Sequence, residues 1–471
     1  MASRNGFLRT EGDRFVDGDG VPVRLRGVGL GGWMNMENFI TGYAANESLM
    51  RSTVREVLGR DRYELFFDRL LTAFFGEDDA ELLAGLGMNC VRIPVNYRHF
   101  EDDARPFEFI YDGFRQLDRV IDACARHGLM TVIDLHAVPG AQNHHWHSDN
   151  YTHRPMFWDH PHFQDRAVAL WEVIADRYKD DARVAGYNPI NEPADESRTA
   201  VRTVYRRLVD AIRAVDPHHI LFLDGNTYST EFDVFDGELD NVVYACHDYA
   251  APGFVRGGDY PGITNGLYVD KAALAEKFRQ RTEYSRKTNT PVWVGEWGPV
   301  YTGDARRDAM RYQILADQLD IYAEDQASWS IWTYKDVGTH GIAVVKPDSA
   351  YRQRFGEFIA KKNRLGADRW GSDGHDIQPV SEPFQAKLEQ EFPAFSPYPW
   401  GRRDWADTLL LNVTVAQPLA YEYAELFRGL GDDDVIALAD SFSLANCDRR
   451  VPLADRLRAD LAGGQPDPGP S

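Results

Sequence analysis

The chain has 471 residues, 43% hydrophobic side chains and a formal net charge of −21, a size and composition that suit one large globular domain or two to three ordinary ones. The acidic balance argues against a nucleic-acid or anionic-membrane partner, and no stretch is long and apolar enough to span a bilayer. The start, Met1-Ala2-Ser3-Arg4-Asn5-Gly6-Phe7, lacks the apolar run of a signal peptide, and the four cysteines (Cys90, Cys124, Cys246 and Cys447) have no Cys-x-x-Cys spacing, which leaves buried thiols of a cytoplasmic protein as the expectation.

In chain order, Phe15 to Val23 reads as a hairpin around Asp17-Gly18-Asp19-Gly20. Arg24 to Gly32 follows as a first internal strand, and residues 46 to 83 read as largely helical. Asn89 to Val95 is a strand that carries Arg92 among apolar neighbours. Leu117, Val120, Ile121 and Cys124 keep helical spacing, with Gly128 at the expected stop. Met130 to Leu135 is a strand ending in Asp134-Leu135-His136, followed by a long loop through Gly140-Ala141-Gln142-Asn143-His144-His145-Trp146-His147. A helix over about 162–179 leads into Val184 to Glu192, where Pro193, which cannot donate to a ladder, ends the strand. A helix over about 198–215 leads to Ile220 to Asp224, and Val242 to Cys246 runs into His247-Asp248-Tyr249. The helix over 269–287 precedes Pro291 to Glu296, and the helix over 304–324 precedes Ser328 to Lys335.

Eight short strands, most separated by helical stretches, predict a parallel sheet. Over some 310 residues they predict a closed (β/α)₈ TIM barrel, with a doubly wound open sheet as the alternative. Gly29, Gly31 and Gly32 do not form Gly-x-Gly-x-x-Gly, so a dinucleotide site is unsupported. The barrel is assigned to 1–340. Residues 346–405 mix proline, glycine and charge, and 406–462 read as helical; 341–462 is expected to be a mostly helical extension that completes the barrel or packs on it, with a disordered tail over 463–471.

Polar residues stand at the ends of successive strands: Arg92, His136, Asn191-Glu192, His247 with Tyr249, Glu296 and Trp332. Strand carboxyl ends are where an α/β barrel keeps its chemistry. Singly, each residue has a structural explanation; together they would be buried charges that a purely structural role must satisfy one by one. Two carboxylates facing one bond are the minimal equipment for cleaving a glycoside.

Val91-Arg92-Ile93-Pro94, Asp134-Leu135-His136, Asn191-Glu192-Pro193, His247-Asp248-Tyr249, Gly295-Glu296-Trp297 and Ser330-Ile331-Trp332 resemble, in this order, the recurrent set of glycoside hydrolase family 5, retaining β-glycosidases on (β/α)₈ barrels. The resemblance covers roughly residues 10 to 340. It implies Glu192 as acid/base, with a pKa expected to be raised by burial and by the neighbouring carboxylate. It implies Glu296 as an ionised nucleophile held by Arg92 and Tyr249, Asn191 on the sugar 2-hydroxyl, His136 and His247 lining the site, and Trp332 as its apolar floor. Leu30 to Glu37 is similar to the first-strand loop of exo-acting members, in which Glu37 would grip the terminal sugar; the alternative is a plain helix-start carboxylate. Asn143 and Trp146 are expected to contact substrate. His145-x-His147 lacks a third ligand at diagnostic spacing, so no metal and no cofactor are expected. The implied activity is a β-glycosidase acting on short oligosaccharides or small glycosides, exo-acting and of β-mannosidase or β-glucosidase type. An endo-β-glucanase or mannanase, a transglycosylase on the same site, and a non-catalytic sugar- or glycolipid-binding barrel are the alternatives.

Overall fold

A computed structural model of the chain describes residues 6–236, 239–368 and 370–463. Eight parallel strands close into a barrel. They are β1 (Arg26–Gly29), β2 (Cys90–Asn96), β3 (Met130–Ala137), β4 (Val184–Asn188), β5 (Ile220–Asp224), β6 (Val242–His247), β7 (Trp293–Glu296) and β8 (Ser328–Ile331). Every residue of these strands is buried, as expected for a sheet covered on both sides. The (β/α)₈ expectation therefore holds. The first strand is shorter than its glycine-rich sequence suggests, because Leu30 to Glu37 has already left the sheet as a loop.

The period of two along each strand divides the barrel into layers. Cys90, Val132, Phe222, Ala245 and Trp293 pack together in the interior, capped from below by Phe15 and Leu8. Two residues further along the same strands come Arg92, Asp134, Asp224, His247 and Gly295. The interior thus changes from apolar to polar within one side-chain step, at the end that faces the mouth. The alternate residues Val91, Ile93, Ile133, Leu221, Leu223 and Val294 belong to the larger outer core shared with the helices. Phe15 stacks on Phe222 at 6.1 Å, so the amino-terminal antiparallel sheet (Arg9–Glu11, Arg14–Val16, Pro22–Val23) forms the floor of the barrel.

The segment after residue 340 contains more regular structure than its mixed composition suggests. Helices span Ala350–Arg364, Gln378–Glu391, with Pro383 inside, and Gly401–Asp407; a π-helical stretch (Thr408–Val415) continues into the helix Ala416–Glu425. Asp432–Asp440 packs on Arg60–Phe74, and Val451–Gly463 packs on Ala305–Glu324. Arg26, at the start of β1, donates to the carbonyls of Asp460 and Leu461, both at 3.2 Å. Lys335 is fully buried and donates to the Phe74 carbonyl (2.7 Å), to Asp79 (2.8 Å) and to the Phe442 carbonyl (2.8 Å). A buried ammonium requires such a complete set of acceptors, and two of these belong to the barrel side and one to the extension. Gly463 closes the last helix, and the rest of the expected tail lies outside the described residues. No helix among the described residues is long and apolar enough to cross a membrane.

Candidate active site

Glu192 follows β4 and Glu296 ends β7. Their carboxylates share His247, whose Nδ1 lies 2.6 Å from Glu192 Oε1 and 3.6 Å from Glu296 Oε2. One oxygen of each carboxylate and a ring nitrogen of His247 lie within 4.8 Å of one another. An approach that close suits a pair whose carboxyl groups stand ~5–5.5 Å apart, in which one attacks the sugar, better than a pair ~6.5–9.5 Å apart that leaves room for an attacking water. His247 pairs with Glu296 across the β6–β7 ladder, and a Cβ on Gly295 would sit 3.0 Å from the His247 ring. The glycine before the glutamate is what lets the imidazole lie between the acids.

The two carboxylates have different surroundings. Glu296 accepts from Arg92 Nη1 at 2.6 Å and from the Tyr249 hydroxyl at 2.9 Å. Burial pushes its pKa up, but His247 and the Arg92 guanidinium outweigh burial and hold it below the ordinary value. Arg92 is itself fixed by Asp134 (3.0 Å), the Asn191 carbonyl oxygen (2.6 Å) and Asn188 (3.1 Å). Glu192 has φ of 45°, a left-handed conformation uncommon outside glycine and a form of backbone strain that clusters at functional sites. Its backbone N–H donates to Asp224 at 2.9 Å, and its carbonyl accepts from Asn143 at 3.1 Å. Its second carboxylate oxygen lies 3.1 Å from His147 Nε2. Burial again raises the pKa, but His247 and His147 together bring it well below the ordinary value. The expected upward shift of Glu192 is therefore reversed, by a pair of imidazoles. The pKa of His247 is raised: burial opposes its charge, while Glu296, Asp224 and Glu192 favour it. Glu192 and His247 thus favour opposite charges across a 2.6 Å contact.

The opposite wall is built on His136. Its Nδ1 lies 2.7 Å from Asp134, its Nε2 3.3 Å from Glu37, and its ring stacks on Trp332 at 5.5 Å and 5°. Burial disfavours the imidazolium, yet Asp134 and Glu37 hold its pKa up to about 10. Glu37 immediately precedes the short helix Asn38–Thr41, but its side chain makes no capping bond. It turns to His136 instead and is 4% exposed, which separates it from a plain helix-start carboxylate. The first-strand glycines also find their reason here, since a Cβ on Gly29 would lie 2.6 Å from the Trp332 indole. The indole lies against bare backbone.

The family model of cellulase (glycosyl hydrolase family 5) matches residues 72–338. A beta-xylosidase of Phanerodontia chrysosporium is 44% identical over 459 residues, covering 94% of this chain and 95% of that one. The chain belongs to glycosyl hydrolase family 5. A further relative, the "Probable glucan 1,3-beta-glucosidase A" of Aspergillus fumigatus, is 28% identical over 357 residues, covering 67% of this chain and 84% of that one. Among solved structures, an endogalactoceramidase shares the fold at a TM-score of 0.51 and 18% identity, covering 70% of this chain and 75% of that one. The protein is a glycoside hydrolase of this family, acting on β-glycosides.

In this family 5 barrel, Arg92, His136, Asn191, Glu192, His247, Tyr249, Glu296, Trp332 and Glu37 meet at one mouth. Asn143 is engaged by the protein: its carbonyl oxygen accepts from the His145 N–H (3.0 Å), and its amide reaches Glu192 and His147. It ties the loop to the acid. Trp146 lies edge-on to Phe39 (5.6 Å) and His147 (5.5 Å) in the wall. Several neighbours were not expected at the two carboxylates, His147 having been read only as half of a His-x-His pair. His147 sits on Glu192, and Tyr228 rises from the left-handed turn after β5. Trp370 comes from beyond the barrel to stand 4.7 Å from Tyr249 and to stack on Phe39 at 5.7 Å. Asp134 and Asp224 were legible as strand-end acids, but which groups they support was not. Among the described residues, the one acid–imidazole group close enough to share an ion is Glu192, His247 and Glu296, and these are the site's own carboxylates.

Proposed function

We propose that this glycosidase is an exo-acting, retaining β-xylosidase that removes single xylose units from the ends of short β-xylosides. The observation that carries the exo reading is the blind wall at Glu37. That carboxylate, His136 and Trp332 are each no more than 4% exposed, and Phe39, Trp146 and Trp370 close the space behind them. In this reading a sugar seated against the wall is the last residue on its non-reducing side. Xylose as the glycone is supported by the beta-xylosidase relative, which matches nearly the whole chain, and a ring without a hydroxymethyl arm suits carboxylates as buried as Glu192 and Glu296 (8% and 5% exposed).

In this reading Glu296, ionised through His247 and Arg92, attacks the anomeric carbon. Glu192 hands the departing oxygen a proton drawn from His247 across their 2.6 Å contact, and a glycosyl–enzyme ester forms at Glu296. Water then gives a proton to Glu192 as its oxygen attacks the same carbon, the ester breaks, and Glu296 leaves as carboxylate. Asn191, fixed by Arg92, presents its amide to the sugar 2-hydroxyl. The test is release of nitrophenol from aryl β-xyloside, glucoside, mannoside, galactoside and fucoside by the purified protein, with the first-formed sugar read by proton NMR. Preferred release of xylose as its β-anomer is the expected result. A first-formed α-anomer overturns the retaining reading, a different preferred sugar overturns the glycone, and cleavage inside a long xylan chain overturns the exo reading.

A further inference from the structure

A line of aromatic rings leads from Glu192 to the surface. His147 touches Glu192; its ring stands edge-on to Tyr228 at 6.1 Å, and His145 packs on the same tyrosine at 5.2 Å. Trp400, from the segment beyond the barrel, lies over the far side of Tyr228 at 5.6 Å, tilted by 39°. Tyr228 is 8% exposed and Trp400 is 47% exposed, so the chain of rings ends in a half-exposed indole.

The segment that carries Trp400 is held from several directions. The Tyr398 hydroxyl is 2.8 Å from Thr227 Oγ1, Asp404 lies 3.7 Å from His145, and Gln385 donates to the Arg403 carbonyl (3.0 Å) and to Asp407 (2.8 Å). The backbone N–H of His144 donates to the Tyr228 hydroxyl at 3.3 Å, which fixes that ring as well. A half-exposed indole packed on a fixed ring and carried by an anchored segment is a preorganised stacking surface, because less conformational freedom remains to be lost on binding. Packing alone does not require it to face solvent.

We propose that Trp400, backed by Tyr228, is the platform on which the leaving-group sugars stack, so that a segment outside the barrel sets the enzyme's preference among aglycones. The proposal rests on Glu192 being the acid that serves the leaving group, since it is Glu192 that places the leaving group on this side. A pyranose ring has an apolar face of C–H groups that matches an indole, and Trp400 offers the exposed ring while Tyr228 backs it.

The test compares xylotriose with β-xylosyl fluoride, whose leaving group has no ring to stack. In Trp400→Ala, KM for xylotriose should rise about three- to tenfold, the range expected for one aromatic contact, with kcat little changed and kcat/KM for the fluoride unaltered. Trp400→Phe should recover most of the loss. The proposal is overturned if the ratio of kcat/KM for the two substrates is the same in wild type and Trp400→Ala. It is equally overturned if both values fall together with the melting temperature, which would make Trp400 a structural residue. Failure of the proposed glycone is distinguishable: the wild type then prefers another sugar, and the fluoride and trisaccharide of that sugar carry the same comparison.

Discussion

Glu192→Gln separates the acid function from everything else the residue does. An amide keeps the shape, offers an oxygen to His247 at the position of the 2.6 Å contact and an NH₂ to His147 at that of the 3.1 Å contact, and has no proton to give. General acid assistance contributes about 10²- to 10⁴-fold, or about 3–5 kcal/mol at 1.36 kcal/mol per decade. With xylobiose, whose leaving oxygen is strongly basic, kcat/KM should therefore fall by about three orders of magnitude. With 2,4-dinitrophenyl β-xyloside, whose leaving group departs unaided, kcat/KM should change by only about a few-fold, because the attack by Glu296 is intact. Its kcat should nevertheless drop, since Glu192 is also the base of the second step. Azide, which needs no base, should restore turnover and yield β-xylosyl azide. The pH profile gives an independent check. Removing the Glu192 charge takes a like charge away from Glu296, so the acidic limb should move to lower pH, while the basic limb, which reports loss of the proton drawn from His247, should disappear. Equal losses on the two substrates, or an unchanged basic limb, would refute the assignment.

Glu37→Ala removes the carboxylate facing His136 at 3.3 Å; a charge-assisted contact to the sugar is worth about 1.5–3 kcal/mol, so kcat/KM on xylobiose should fall about ten- to a hundredfold, and appearance of xylobiose from longer xylo-oligosaccharides should show that the wall has opened. Asp79→Ala strips the carboxylate from the buried Lys335; breaking a buried pair costs about 3–5 kcal/mol, and the urea midpoint should fall accordingly, with the slope of the transition unchanged. The pKa of Glu296 is lower in the folded chain, so it contributes stability that is present above its unfolded value of about 4.3 and is lost as pH falls through the folded one. Glu296→Gln should lose less stability than wild type between pH 5 and the acid transition, measured by denaturant unfolding at stepped pH; identical acid sensitivity in the two proteins would contradict the shift.

The strand ends were readable because a period of two and a proline or glycine at the right step fix both the direction and the end of a short buried strand. Cys90 to Arg92, Val132 to Asp134 and Ala245 to His247 each cross from apolar floor to polar mouth in a single step, and that step is local in sequence. Glu37 was readable as a candidate, but only its geometry separates a sugar grip from a helix-start carboxylate: the side chain leaves the helix it precedes and turns to His136. The pKa of Glu192 was read in the wrong direction for a related reason. Burial and the second carboxylate were visible from the motif, whereas His147 lies on a loop whose path is fixed by long-range contacts: Asp149 binds Asn46 (2.6 Å), the Ser48 backbone (2.8 Å) and Arg98 (2.8 Å). Nothing local places His147 on Glu192.

The segment after residue 340 shows the same limit on a larger scale. Its helices are interrupted by Pro383 and by the π-helical stretch, so the helical period that marks the barrel's outer ring is broken in sequence. Its contributions to the mouth are two single tryptophans, and a lone tryptophan has no pattern. Yet Trp370 meets Tyr249 and Phe39, Trp400 meets Tyr228, and Lys335 joins the Phe74 and Phe442 carbonyls. A barrel deprived of this segment would leave a buried ammonium short of an acceptor and Tyr249 and Tyr228 without these indoles. We therefore expect truncation after residue 340 to yield an insoluble or unfolded chain; a soluble, folded product would show instead that the segment is an accessory to an independent barrel, and its residual activity on β-xylosyl fluoride and xylotriose would then measure how much of the selectivity the two tryptophans supply.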